Sequence, residues 1–305
     1  MSGTGVLPKH MLLEMRGTCI QDVDAQLFNP ASVDMPLSDE AYRLETIFLP
    51  EKGKSVRELF TDIGATKHDL SNPLEVGVPY LIRIDGTWSM LDSTYGYVNP
   101  KSTTGRVNLF CRIVADGVET YDHLEKGWSG ECWVLVRADS FPVLLAPGNR
   151  LVQTRIFNGK SFLSQLETDL VVKKHGLIFD ENRQKKTMRQ LNAHADSIFL
   201  TLDVGEVFGF ECRGSKRILD FSKVGMYDSA DFFEPIRAPK GTFKLRKDSF
   251  YILSTRERVM VPPELSAELR PIDVRLGEFR SHAAGYIDPG WGWGEDGTVC
   301  GRPIT

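Results

Sequence analysis

The sequence predicts an all-β protein built from tandem domains, with a few short helices. Two observations carry this prediction. Short runs rich in Val, Ile, Leu and aromatic residues recur along the chain, and Gly, Pro, Asp or Asn separates one run from the next. The chain also has 305 residues, which is longer than a single hydrophobic core usually serves. We therefore expect two β-rich domains.

The predicted strands share an apolar or alternating pattern of four to eight residues between turn signals. In chain order they are "PYLIRID", "VNLFCRIV", "CWVLVRA", "FPVLL", "LVQTRIF", "SIFLTLDV", "VFGFEC", "FYILST" and "RVMVPP".

Helical signals are fewer. The pairs Ser55–Glu58 and Ser164–Glu167 have the spacing of a capping box, and the second opens "QLETDLVVKK". A third candidate is "QKKTMRQLNAHA", whose basic residues fit a solvated face better than a nucleic-acid-binding one. We therefore expect three short helices, two of them in a connection between two β-rich halves.

The two halves also echo each other. "PYLIRID", "NPKSTTGR" and "GWSG" in the first half are answered by "FYILSTRERVMVPPE", "LRPIDVRLGEFRSHAAG" and "PGWGWG" in the second. A duplication would explain this order. The predicted domains are residues 1–158, and residues 159–305 with the partly helical connection at their start.

Charge and cysteine content restrict the class of protein. The 37 basic and 41 acidic residues give a net charge of −4, which argues against bulk binding to nucleic acid. No apolar run approaches the roughly 20 residues that cross a bilayer, and the N-terminal apolar stretch does not have the form of a signal peptide. The five cysteines lack metal-type spacing. We expect reduced cysteines, a cytoplasmic location, and neither membrane nor nucleic acid as a partner.

The segment KSTTGR, residues 101–106, concentrates hydroxyl and cationic donors beside one glycine. This composition is typical of a turn that binds an anion, because arginine offers paired donors and glycine lets the backbone come close. A plain polar loop is the alternative interpretation.

Seven motifs together resemble a known family. They are "NPASVDM" (29–35), "NPKSTTGR" (99–106), "RIVAD" (112–116), "FPVLL" (141–145), "GMYDSADFFEPI" (225–236), "FYILSTRERVMVPPEL" (250–265) and "GEFRSHAAGYIDPGWG" (277–292). As a series they are similar to the two-domain form of dCTP deaminase, which is built from tandem dUTPase-like (β-clip) distorted β-barrels.

The resemblance implies zinc-independent hydrolytic deamination of dCTP to dUTP and ammonia, in pyrimidine deoxynucleotide metabolism. It implies Mg²⁺ bound through the nucleotide phosphates, and a homo-oligomer. The zinc-dependent alternative needs an H-x-E and P-C-x-x-C signature, which this sequence does not contain. The implied catalytic residues are Ser102 and Arg106. The implied substrate-binding residues are Lys101, Thr103, Ala115, Asp122, Arg275 and Asp288, and His282 is a weaker candidate for the second domain.

The sequence departs from the family at its proton-transferring glutamate. Leu135 aligns with that position, and Glu131 lies about 13 Å away along an extended strand. In the second domain, the strand expected to carry the equivalent glutamate would follow "TVCGRPIT", so we expect an incomplete second barrel.

Three alternatives remain open on the sequence. The first is a catalytically silent nucleotide-binding homologue. The second is a dUTP diphosphatase that uses Asp116 or Asp122 to activate water. The third is a carbohydrate-binding or adhesion module without a nucleotide.

Overall fold

The computed structural model describes residues 4–194, 197–238, 241–270, 285–294 and 301–303. Their regular secondary structure is mainly strand, as predicted. The first twelve strands are β1 (Ile20–Gln21), β2 (Val33–Arg43), β3 (Thr66–His68), β4 (Pro79–Ile84), β5 (Thr87–Ser89), β6 (Tyr95–Pro100), β7 (Leu109–Ala115), β8 (His123–Leu124), β9 (Ser129–Gly130), β10 (Cys132–Ala138), β11 (Val143–Leu144) and β12 (Arg150–Phe157).

The later strands are shorter. They are β13 (Ile178–Phe179), β14 (Asn192–His194), β15 (Ser197–Phe199), β16 (Gly209–Cys212), β17 (Leu219–Asp220), β18 (Glu234–Ile236), β19 (Phe250–Leu253), β20 (Arg258–Val259), β21 (Ala267–Glu268) and β22 (Tyr286–Ile287). Each predicted run contains one of these strands, so the all-β prediction is confirmed.

The helices within the described residues are α1 (Lys9–Glu14), α2 (Ser102–Arg106) and α3 (Gln165–Lys174). The predicted capping box of α3 is present, because the Ser164 hydroxyl accepts from the Glu167 N–H and the Glu167 carboxylate accepts from the Ser164 N–H. The Ser55–Glu58 pair is also bonded, but it opens only a 3₁₀ turn at Arg57–Leu59.

The predicted helix "QKKTMRQLNAHA" is wrong beyond one turn. A 3₁₀ turn spans Met188–Gln190, and the backbone is already extended at Leu191, with φ −84° and ψ 136°. Strand β14 follows and pairs with β15. A local strand pairing therefore overrides the helical pattern.

Contacts divide the chain into two units. The first contains residues 1–161 and 214–232, and the second contains residues 162–213 and 233–305. The predicted boundary between residues 158 and 159 stays a prediction. The sequence did not predict that the segment 214–232 joins the first unit, which it does through the parallel pairing of β17 with β11.

One antiparallel sheet organises the first unit. Among the described residues it has eight strands, in the order β7-β10-β4-β2-β12-β6-β8, with β3 paired to β2. The sheet closes at Asp122, just before β8. The Asp122 N–H donates to the Ile113 carbonyl of β7 at 3.0 Å. The Ile113 N–H donates back to the Asp122 carboxylate at 2.8 Å. The result is a nearly closed barrel, and β1, β5 and β9 form a separate three-stranded sheet.

The second unit has smaller sheets. β16 lies between β18 and β19, while β13 pairs with β20 and β21 with β22. One cluster of buried residues groups Ile178, Val259, Val261 and Ile287. Whether this barrel is incomplete, as the sequence suggests, stays a prediction.

Candidate functional site

Helix α2 occupies the segment KSTTGR, so the expected anion-binding turn is in fact a single helical turn and a half. It is attached to the start of β12. The Lys101 N–H donates to the Leu151 carbonyl at 2.8 Å, and the buried Thr104 hydroxyl donates to the same oxygen at 2.7 Å. Gly105 is buried in the helix and is not among the glycines with positive φ. Of the two roles open to this glycine, close approach of the backbone and a left-handed conformation, the second is therefore excluded.

The outer side of α2 carries Ser102, Thr103 and Arg106, all of which are exposed. In the part of the chain that the structure describes, their side chains make no hydrogen bond or ion pair. Two hydroxyls and a guanidinium are therefore free to meet a ligand. The structure brings these three predicted residues together on one short element.

Lys101 differs from its neighbours because its charge is already engaged. Its ammonium group forms an ion pair with the buried carboxylate of Asp34. The Asn29 side chain donates to the other oxygen of Asp34 at 2.9 Å. The Arg150 guanidinium lies 3.9 Å from the oxygen that Lys101 contacts.

Sequence reasoning missed Asp34 and Arg150 as members of this site. The signal for Asp34 was present in "NPASVDM", which was used for the resemblance but was not placed in space. Nothing in the sequence near Arg150 pointed to α2.

Asp122 is buried, with 4% of its surface exposed. One carboxylate oxygen accepts from the Ile113 N–H and the other from Arg112 at 2.6 Å. Burial raises the pKa of this carboxyl, while Arg112 and the Ile113 N–H oppose the shift. Both oxygens thus serve barrel closure, and contact with a sugar stays a prediction. Ala115, at the end of β7, is also buried, and its substrate role is likewise untested.

Comparison with known families matches both halves of the chain. The model of the 2'-deoxycytidine 5'-triphosphate deaminase (DCD) N-terminal domain matches residues 3–160, and the model of the DCD C-terminal domain matches residues 167–304. The chain belongs to the dCTP deaminase family.

A solved structure agrees with this assignment. The crystal structure of 2'-deoxycytidine 5'-triphosphate deaminase from Agrobacterium tumefaciens is 30% identical in sequence, with a TM-score of 0.89. The match covers 99% of this chain and 88% of that chain. Comparison with curated proteins gave no match.

Within this dCTP deaminase family member, Leu135 lies in the middle of β10 and has no exposed surface. It pairs with Leu81 of β4 and Arg112 of β7. It also belongs to a buried apolar cluster with Trp133 and Val56. The position that aligns with the family glutamate is therefore part of the hydrophobic core.

Glu131 is not free to replace that glutamate. Its two carboxylate oxygens accept from Arg57 at 2.6 and 2.9 Å. Arg57 also donates to both oxygens of Glu40, at 2.8 Å each, and its guanidinium lies 5.0 Å from the centre of the Trp133 ring. The hydrogen bonds from Arg57 lower the pKa of Glu40. Arg57 therefore acts as a clamp between two carboxylates above the core.

We expect Arg57→Ala to lower the free energy of unfolding by about 1 kcal/mol at pH 7, since partly exposed ion pairs contribute modestly. The pKa of folded Glu40 lies below its ordinary value of 4.5. The stabilisation from Glu40 is thus present above that value and lost as the pH falls through the folded pKa. Urea unfolding at pH 7 and pH 3 measures this. A loss that stays constant down to pH 3 would assign the whole effect to packing on Trp133.

The second-unit candidates are described only in part. Asp288 follows β22 in the predicted "DPG" turn, where the Trp291 N–H donates to the Asp288 carbonyl at 3.2 Å and Gly290 has φ +79°. Arg275 and His282 lie outside the described residues.

The residues available for metal binding were compared with the needs of Mg²⁺. Within the described ranges, no group of three or more His, Cys, Asp or Glu side chains is arranged to hold an ion. A Mg²⁺ ion bound mainly by phosphate oxygens needs few protein ligands, so the exposed donors of α2 are compatible with a metal that arrives with the nucleotide. Its presence stays a prediction.

Proposed function

We propose that this chain binds dCTP at α2 and catalyses its hydrolytic deamination to dUTP and ammonia. The observation that carries the proposal is the set of three unengaged donors, Ser102, Thr103 and Arg106, inside the region that matches the DCD N-terminal domain. A triphosphate carries several negative charges, and it is best met by arginine and hydroxyl donors. The neighbouring Lys101 adds a cation that Asp34 holds in place.

The reaction balances without a redox partner. The oxygen of water forms a bond to C4 of the cytosine ring, and the C4–N bond to the amino group breaks. One proton of the water ends on ring N3, and the other leaves with ammonia. A general acid–base group that moves these protons contributes about 10²- to 10⁴-fold to the rate.

Each residue then has a defined task. Arg106 binds phosphate oxygens through paired N–H donors. Ser102 and Thr103 donate hydroxyl hydrogen bonds to phosphate or to the attacking water. Asp122 contacts the sugar of a nucleotide bound at α2, and Asp288 has the equivalent role within the second unit. Mg²⁺, when carried by the phosphates, neutralises part of their charge.

The carboxylate that transfers protons must lie at a position other than Leu135, because Leu135 is buried in the core. The homo-oligomer implied by the resemblance would allow a second copy to supply it.

A second candidate is a catalytically silent nucleotide-binding protein, and the burial of Leu135 favours it. The dUTP diphosphatase alternative has no such support. The two oxygens of Asp116 accept from the N–H groups of Val56 and Glu131, at 2.8 and 2.9 Å, so this carboxylate is committed to the fold.

We also propose a cytoplasmic location. No helix in the described ranges is long and apolar enough to cross a membrane. The four cysteines within these ranges are buried and unpaired. A cytoplasmic enzyme with reduced thiols is consistent with both findings.

Incubation of the purified protein with dCTP and Mg²⁺, with dUTP and ammonia measured over time, tests the proposal. We expect turnover, and we expect Ser102→Ala to lower kcat about 100-fold, as loss of one donor at a reacting centre does. Thr66→Ala, which removes another exposed hydroxyl, is the matched control and should leave turnover unchanged.

Binding without turnover would support the silent homologue. Release of pyrophosphate instead of ammonia would support the diphosphatase.

A further inference from the structure

We propose that Arg150, which lies beside Asp34 and α2, is an additional binding residue for the phosphate end of the nucleotide. This inference rests on the proposed function. Arg150 is the first residue of β12 and immediately precedes Leu151, whose carbonyl oxygen anchors α2 through Lys101 and Thr104. The side chain of Arg150 therefore starts at the base of the helix that carries the free donors.

Two cations converge on one buried oxygen. Lys101 and Arg150 both approach the same Oδ2 atom of Asp34, the first as a close ion pair and the second at 3.9 Å. The Asp34 side chain is only 3% exposed, whereas 51% of the Arg150 side chain is exposed. The guanidinium of Arg150 is therefore accessible to a ligand, while the carboxylate beside it is not.

The charged groups around Asp34 and α2 leave a surplus of positive charge. Asp34 offsets one of the two cations, so the group keeps one net positive charge, and Arg106 adds another on α2. A nucleoside triphosphate carries the opposite sign, so this surplus is complementary to its phosphates.

Arg150 also has donors to spare. A separation of 3.9 Å is too long for a hydrogen bond, and no hydrogen bond of its guanidinium occurs among the described residues. A half-exposed pair at this distance stabilises a fold very little. The position of Arg150 is therefore better explained by a ligand than by the fold.

The test compares four proteins: the unmutated chain, Arg150→Ala, Arg106→Ala and Arg43→Ala. Arg43 is the matched control, because it is a similarly exposed arginine of the same unit that pairs with a carboxylate, Glu75 at 3.3 Å. Calorimetry measures dCTP affinity, and NMR titration measures the affinity for deoxycytidine, which has no phosphate. Thermal unfolding confirms that each variant is folded, and Arg150→Gln replaces Arg150→Ala if the latter is not.

We expect Arg150→Ala to weaken dCTP binding about 5- to 20-fold, with deoxycytidine binding unchanged, and Arg43→Ala to change neither. Unchanged dCTP binding in Arg150→Ala, together with weakened binding in Arg106→Ala, would overturn this inference alone. Equal weakening for dCTP and deoxycytidine would also overturn it, because it would indicate a general structural role. If neither Arg150→Ala nor Arg106→Ala weakens dCTP binding, the proposed function fails as well.

Discussion

Leu135→Glu is expected to lower the free energy of unfolding by about 4 kcal/mol and not to raise dCTP deaminase activity above that of the unmutated chain. The side chain at this position has no exposed surface and is packed with Trp133 and Leu81. A carboxylate placed there would lose its hydration, and an unpaired buried charge costs several kcal/mol. Restoring the residue type of the family at this position therefore damages the core.

Urea unfolding of Leu135→Glu and Leu135→Met separates charge from shape. Leu135→Met nearly conserves volume and should cost less than about 1.5 kcal/mol. The penalty of Leu135→Glu should shrink at acid pH, because burial raises the pKa of a carboxyl and the protonated form is less costly to bury. A stable Leu135→Glu protein that releases ammonia from dCTP faster than the unmutated chain would mean that this position opens onto the reacting centre.

Asp122→Ala is the second substitution with a large expected effect, a loss of about 3 to 5 kcal/mol in the free energy of unfolding. The substitution removes the acceptor for the Ile113 N–H and the partner of Arg112, both at the closure of the barrel. A buried N–H left without its acceptor costs about 1 to 3 kcal/mol, and loss of the ion pair with Arg112, whose side chain is 32% exposed, adds to this. Alanine would also have to adopt the left-handed backbone of Asp122, where φ is 63°.

Asp122→Asn distinguishes these contributions. Asparagine tolerates the left-handed conformation and can still accept from the Ile113 N–H, so we expect a smaller loss, about 1 to 2 kcal/mol. Chemical unfolding of both variants measures the difference. An Asp122→Ala protein as stable as the unmutated one would contradict the role of this carboxylate in closing the barrel.

The sequence predicted the strands that have apolar patterns, but it missed β2. That strand alternates through Val33, Met35 and Leu37, but Pro36 and the polar run at 38–40 interrupt the signal. The register of β2 against β4 shifts between Leu37 and Ala41. An irregular central strand of this kind depends on its neighbours, which a local pattern cannot reveal.

The site was predictable in part. KSTTGR pointed to Ser102, Thr103 and Arg106, because hydroxyl and guanidinium donors suit phosphate, and the structure exposes all three on α2. The sequence did not indicate that Lys101 would be paired with Asp34, or that Arg150 would reach the same carboxylate. These contacts join β2, α2 and β12, and the order of these elements in the sheet is set by pairings between distant segments.

The central claim is that the exposed side of α2 binds the phosphates of a deoxynucleotide. Calorimetric titration of dCTP with Mg²⁺ into the unmutated protein and into Arg106→Ala tests it most directly. The account predicts saturable binding that weakens about 10- to 100-fold in Arg106→Ala, as loss of a charged hydrogen-bonding partner does. Identical affinities of the two proteins for dCTP would contradict it.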